Sequence, residues 1–106
     1  MELFSFMKQT DINEWVEKYR NTSGAILLDV RTEEEFNEGH IPDSVNLSVQ
    51  YISKIESIVE EKETPLFVYC RSGRRSGNAT VFLKRMGYTN VNNIGGILSY
   101  KGEVVK

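Results

Sequence analysis

Leu66-Phe67-Val68-Tyr69-Cys70-Arg71-Ser72-Gly73-Arg74-Arg75-Ser76 decides how this chain is read. The unbroken apolar run after Pro65 predicts a strand buried on both faces, because a strand with one wet face alternates instead. Arginine, serine and glycine follow at once. Ala79, Phe82, Leu83 and Met86 then fall on one face of a helix that Gly87 stops. Strand, tight loop and helix in that order form the repeating unit of an α/β fold.

Working outward, Ala25 to Val30 reads as a second buried strand, central in the sheet. Thr32 and Glu35 have the spacing of a capping box on a short helix carrying Phe36, ended by Gly39 and Pro42. Ser48 is expected to cap a helix of about three turns. Ile52, Ile55 and Val59 would face the core, with Glu56, Glu60 and Glu61 in solvent. Leu3 to Met7 reads as an edge strand. Asp11 and Glu14 suggest another capping box, ahead of Ile12, Trp15, Val16 and Tyr19 on a core-facing helix that Asn21 to Gly24 ends. Val91 to Ile94 is the last expected strand, with Gly95-Gly96 as a turn.

The chain has 106 residues, 40% of them apolar, which suits one core and so one domain over residues 1–106. Its net charge of -2 argues against a nucleic-acid partner, which needs a basic face for phosphates. The apolar runs Ala25 to Leu28 and Leu66 to Tyr69 fall far short of the roughly 18 residues of a membrane span. The start, Met1-Glu2-Leu3-Phe4, lacks the basic and apolar blocks of a secretory signal, so the cytoplasm is expected. One cysteine excludes an internal disulfide, and with one histidine it is too few for a Cys/His zinc site. No metal or cofactor is expected.

Cys70 sits where ligands bind in parallel sheets, beyond the carboxyl end of a strand and before a helix N-terminus whose N–H groups attract anions. Gly73 permits a loop that turns several N–H groups inward. Such a nest, with Arg71, Arg74 and Arg75 nearby, stabilises a thiolate and draws an anionic substrate. Taken alone, Cys70 reads as an inert buried cysteine. Three guanidinium groups and a glycine directly after it turn the reading toward chemistry.

Three motifs then carry a family resemblance, from about Phe6 to Val104. Leu28-Asp29-Val30-Arg31 with Glu35-Phe36 and Gly39-His40-Ile41-Pro42-Asp43-Ser44-Val45-Asn46 resembles the amino-terminal signature of rhodanese-like domains. Phe67 to Ser76 resembles their active-site loop, and Asn93-Ile94-Gly95-Gly96-Ile97 their closing glycine motif. Many relatives continue that motif to tryptophan, where this chain has Tyr100. The resemblance implies a mainly parallel sheet of about five strands with helices on both faces. It implies a sulfurtransferase in which Cys70 takes sulfur from thiosulfate or polysulfide, holds it as a persulfide, and yields it to a thiol or a sulfur-carrier protein. Arg71, Ser72, Gly73, Arg74, Arg75 and Ser76 would bind the substrate, with Arg75 balancing its charge. A phosphatase-type loop of the tyrosine or dual-specificity kind would place arginine six residues after the cysteine, where this chain has Ser76. The shorter loop favours sulfur over phosphate.

Other residues read as structural. His40 is a lone histidine in a turn, and transfer by an ionised thiol needs no base. Asp29, Arg31 and Glu35 are expected to form one buried ion pair, Trp15 to pack in the core, and Glu56 to Glu63 to be a solvated face. The rival readings are a non-catalytic interaction module and a cysteine redox sensor that relies on an external thiol.

Overall fold

The computed structural model describes residues 11–106. Four parallel strands form one sheet: β1 (Ile26–Asp29), β2 (Val45–Asn46), β3 (Leu66–Cys70) and β4 (Val91–Gly96), in the spatial order β2-β1-β3-β4. The described residues thus hold four strands where about five were expected. The edge strand read at Leu3 to Met7 lies outside them.

The alternation of side chains along β3 builds the two halves of the core. Leu66, Val68 and Cys70 point to one face, where Leu28, Val30, Ile52, Ile55, Ala79 and Leu83 join them. Phe67 and Tyr69 point to the other, with Ile12, Val16, Leu27, Ile41 and Ile94. Every residue of β3 is buried, and each fully buried aliphatic side chain contributes about 1.5–3 kcal/mol of transfer free energy. Helix α1 (Ile12–Arg20) covers the second face, with Trp15 and Tyr19 partly buried and set edge-on to Phe67 at 5.9 and 6.0 Å. The short helix α2 (Glu33–Glu38) follows β1. Helix α3 (Arg74–Arg85) and the 3-10 segment Val49–Ser57 cover the first face. No helix of the described residues is long and apolar enough to cross a membrane.

Local signals explain the helix ends. Thr32 and Glu35 form the expected capping box, each side chain bonding the other's backbone N–H. Asp11 accepts from the Glu14 N–H and caps α1, though only this half of the box read there is made. Gly87, at φ +102, follows α3.

Three expectations need correction. Ser48 makes no side-chain cap, and the segment after it is a 3-10 helix kinked at Tyr51. The Val49 N–H is taken by the Val30 carbonyl, which ties the first turn to the end of β1, and Tyr51 N–H bonds Ser48 at i−3. Ile52, Ile55 and Val59 are buried all the same. Phe82 lies 40% exposed, because the buried stripe of α3 is Ser76, Ala79, Thr80 and Leu83, one position aside. Gly95 and Gly96 belong to β4 instead of forming a turn after it, and Gly95, at φ +104, takes up the register shift opposite Val68/Tyr69.

Candidate active site

Cys70 ends β3 with its sulfur turned toward the start of α3. Gly73 occupies the N-cap position of that helix at φ +103, a conformation open to glycine, and offers no side chain to the first turn. The N–H of Ser76, the third residue of the helix, which a capping side chain would otherwise satisfy, turns to the sulfur. Gly73 N–H reaches Sγ at 3.0 Å and Ser76 N–H at 3.4 Å. Burial alone would push the Cys70 thiol up. Hydrogen bonding with the Ser76 hydroxyl, and with the N–H groups of Ser76, Gly73 and Ser72, favours the anion enough to outweigh it and bring the thiol below its ordinary value.

The loop is held from β4. A side chain at Gly96 would overlap the Arg71 carbonyl and stand 2.5 Å from the Ser72 Cα, so only glycine lets strand and loop pass. Leu98 N–H donates to the Arg71 carbonyl at 3.2 Å. Beside this contact opens a cleft of about 400 Å³, lined in part by Ile12, Ser72, Gly73, Asn93 and Gly95.

The arginines divide. Arg75 makes two bonds to the Glu35 carboxylate, at 2.7 and 2.9 Å. The Arg75 guanidinium, against the opposing effect of burial and with help from Thr32, holds the Glu35 carboxyl at about 2. Arg71 and Arg74 are exposed and enter none of the ion pairs of the described residues. The single ion pair read from sequence is thereby corrected to two. Asp29 and Arg31 pair at 2.7 Å with side chains 0% and 7% exposed, and Arg31 also bonds the Gly39 carbonyl at 2.7 Å. The capping box turns Glu35 away from them and toward Arg75.

Of the loop residues expected to bind substrate, Gly73 and Ser76 bond the sulfur, while Arg71 and Arg74 are exposed and the Arg75 guanidinium is engaged by Glu35. Asn93 was missed as a site residue. It accepts a 2.6 Å bond from the Ser76 hydroxyl and donates to the Gly73 carbonyl at 3.2 Å. Its signal was its place at the head of the Asn93-Ile94-Gly95-Gly96 motif. His40 stands apart: its ring stacks on Phe36 at 3.7 Å and bonds the Phe36 carbonyl, and its backbone pairs with Val105. Tyr100, in place of the tryptophan of many relatives, packs partly buried on the α1 side of the sheet and accepts from Arg20. Among the described residues no cluster of His, Cys, Asp or Glu is arranged to hold a metal ion.

A parallel sheet flanked by helices, with one cysteine in a nest of N–H groups, defines a class, and comparison with known proteins supplies the family. The model of the rhodanese-like domain matches residues 12–103, and the chain belongs to that family. Thiosulfate sulfurtransferase PspE of Escherichia coli (strain K12) is 37% identical over 71 residues, covering 66% of this chain and 68% of PspE. Putative sulfurtransferase YtwF of Bacillus subtilis (strain 168) is 39% identical over 88 residues, covering 82% and 84%. A solved rhodanese with anions from E. coli superposes with a TM-score of 0.72 at 34% identity, covering 77% of this chain and 98% of that one. These relatives support sulfur transfer, from a donor to an acceptor, as the activity class of this chain.

Proposed function

We propose that this chain moves sulfane sulfur from thiosulfate, or from a related donor such as polysulfide, to a thiophilic acceptor through a persulfide on Cys70. The observation that carries this reading is the nest of N–H groups around the Cys70 sulfur, which favours an anion there.

In the first step the Cys70 thiolate attacks the outer sulfur of thiosulfate. A bond forms between the two sulfurs, the bond from that outer sulfur to the sulfonate sulfur breaks, and sulfite leaves with the electron pair. The backbone amides of Arg71 through Ser76 hold the negative terminal sulfur of the persulfide. In the second step a cyanide ion, or the thiolate of a small thiol or of an acceptor protein, attacks that terminal sulfur, and Cys70 leaves as thiolate. Neither step needs a base.

Exposed Arg71 and Arg74 meet the charge of the incoming donor. Arg75, bound to Glu35, fixes the loop. The residues work as a single domain, in a reducing compartment such as the cytoplasm that keeps the thiol free.

Intact-protein mass spectrometry after brief exposure to thiosulfate tests the reading. The parent is expected to gain one sulfur atom that cyanide or dithiothreitol removes, and Cys70→Ser to gain none while keeping its fold and losing transfer altogether. A parent that gains no sulfur from thiosulfate or polysulfide overturns it.

A further inference from the structure

The Ser76 hydroxyl has one hydrogen and three acceptors around it: Asn93 Oδ1 at 2.6 Å, the Gly73 carbonyl at 3.1 Å and the Cys70 sulfur at 3.5 Å. The shortest of these, to Asn93, takes the hydrogen while Cys70 is a thiol. The Ser76 oxygen then faces the sulfur with a lone pair and receives the thiol hydrogen.

The orientation of the Asn93 amide is fixed by its other partners. Gly95 N–H points at Oδ1 at 3.1 Å and the Gly73 carbonyl at Nδ2 at 3.2 Å. A flipped amide would set donor against donor and acceptor against acceptor. Helix α3 places Gly77 beside this amide, where an added methyl would come to 3.4 Å from Nδ2.

Ionisation of Cys70 removes the thiol hydrogen and leaves a lone pair facing an anion, which is repulsive. Rotation of the Ser76 hydroxyl cures this by donating to the sulfur, at the expense of its bond to Asn93. Asn93 Oδ1 keeps the Gly95 N–H throughout, so the amide stays in place.

We propose that Asn93 is a positioning residue of the Cys70 site, holding the Ser76 proton while Cys70 is a thiol and yielding it to the sulfur when Cys70 ionises. The proposal rests on the reading that Cys70 reacts as an anion. Asn93 thereby sets how readily the thiolate forms, without touching the sulfur.

The charged groups coupled to the sulfur lie elsewhere. Arg75 of α3, clamped by Glu35 of α2, is coupled to both Cys70 and the Asp29 carboxylate, which pairs with Arg31 at the end of β1. Arg71 and Arg74 are exposed on the loop and on α3, and the 3-10 segment brings the apolar Val49, Ile52 and Ile55 to this side of the core. None of these charged groups bonds to Asn93 in the structure.

The test is the pH midpoint of Cys70 alkylation by iodoacetamide, which requires no sulfur donor and so reports on Asn93 even in a chain that never accepts sulfur from thiosulfate. Asn93→Ala is expected to lower the midpoint by about half a unit to one unit, the equivalent of one hydrogen bond no longer given up on ionisation. The acid limb of the sulfur-transfer pH profile should move with it. Ser76→Ala should raise the midpoint, and adding Asn93→Ala to it should produce no fall. Asn93→Thr, suited to a strand and too short to take the Ser76 hydrogen, serves if the alanine variant does not fold.

A residue that only braces the loop gives the opposite sign, because a loosened loop draws the Gly73 N–H away from the sulfur. A rise, no change, or an equal fall in the Ser76→Ala background overturns the proposal.

Discussion

The loop after β1 and the loop after β3 are the same unit, a buried strand turning into a helix N-terminus with arginine at the turn, yet they are finished differently. After β1 the side chains bond the backbone of the helix start themselves. Thr32 caps α2, Glu35 returns to the Thr32 N–H, and Arg31 lies buried against Asp29. After β3 the cap position is Gly73, which has nothing to give, and the N–H groups converge on Cys70. The side chain at the cap separates a helix start that is braced by its own residues from one that leaves N–H groups on a sulfur. The two loops are also joined, since Glu35 of the first clamps Arg75 of the second.

The contrast can be broken from either side. Asp29→Ala leaves Arg31 buried without its partner and should cost about 3–5 kcal/mol of stability. Urea unfolding would read that loss, while Cys70 in the folded fraction should load sulfur as the parent does. A large loss of loading at low urea would mean that the brace reaches into the chemistry. Gly73→Ala forces a side chain into φ +103 and should cost about 1–2 kcal/mol. It should also raise the Cys70 alkylation midpoint, because the nearest N–H donor to the sulfur moves. An unchanged midpoint would show that Gly73 does not tune the thiol.

Thr32→Ala should cost about 1 kcal/mol, the usual worth of such a cap, measured by thermal unfolding. The effect of Glu35→Gln is expected in the pH dependence of stability. Glu35 is held at about 2 in the fold against its ordinary 4.5. A depressed carboxyl lends stability that is present above 4.5 and lost as pH falls toward 2. Stability curves of the parent and Glu35→Gln should therefore converge through that acid window, and parallel curves would show that the clamp adds nothing.

What could be read from the sequence was what short spacing encodes. The unbroken apolar run of β3 announced a strand covered on both faces, and the three-residue interval from Thr32 to Glu35 announced a box that the structure contains. The cysteine, the glycine and the arginines lie in one stretch, so the nest was legible too. Contacts that close over a long chain separation were not. Glu35 meets Arg75 forty residues away and Asn93 meets Ser76 across seventeen. No local pattern says which of two arginines a carboxylate will choose. Phe82 failed for a finer reason, since the rotation of α3 is set by what already fills the space over β3, and one position along a helix turns a side chain by about 100°.

The burial of Cys70 also bears on regiochemistry. The residue is 1% exposed at the floor of the loop, while a sulfur attached to it would stand about 2 Å further along the bond. A persulfide has two electrophilic atoms. Attack on the inner one would strip the cargo as hydrosulfide and leave the acceptor joined to the protein as a mixed disulfide. If Cys70 carries sulfur as proposed, walls of backbone around the inner atom would leave the outer one as the accessible target, and delivery and regeneration of the thiolate would be a single event.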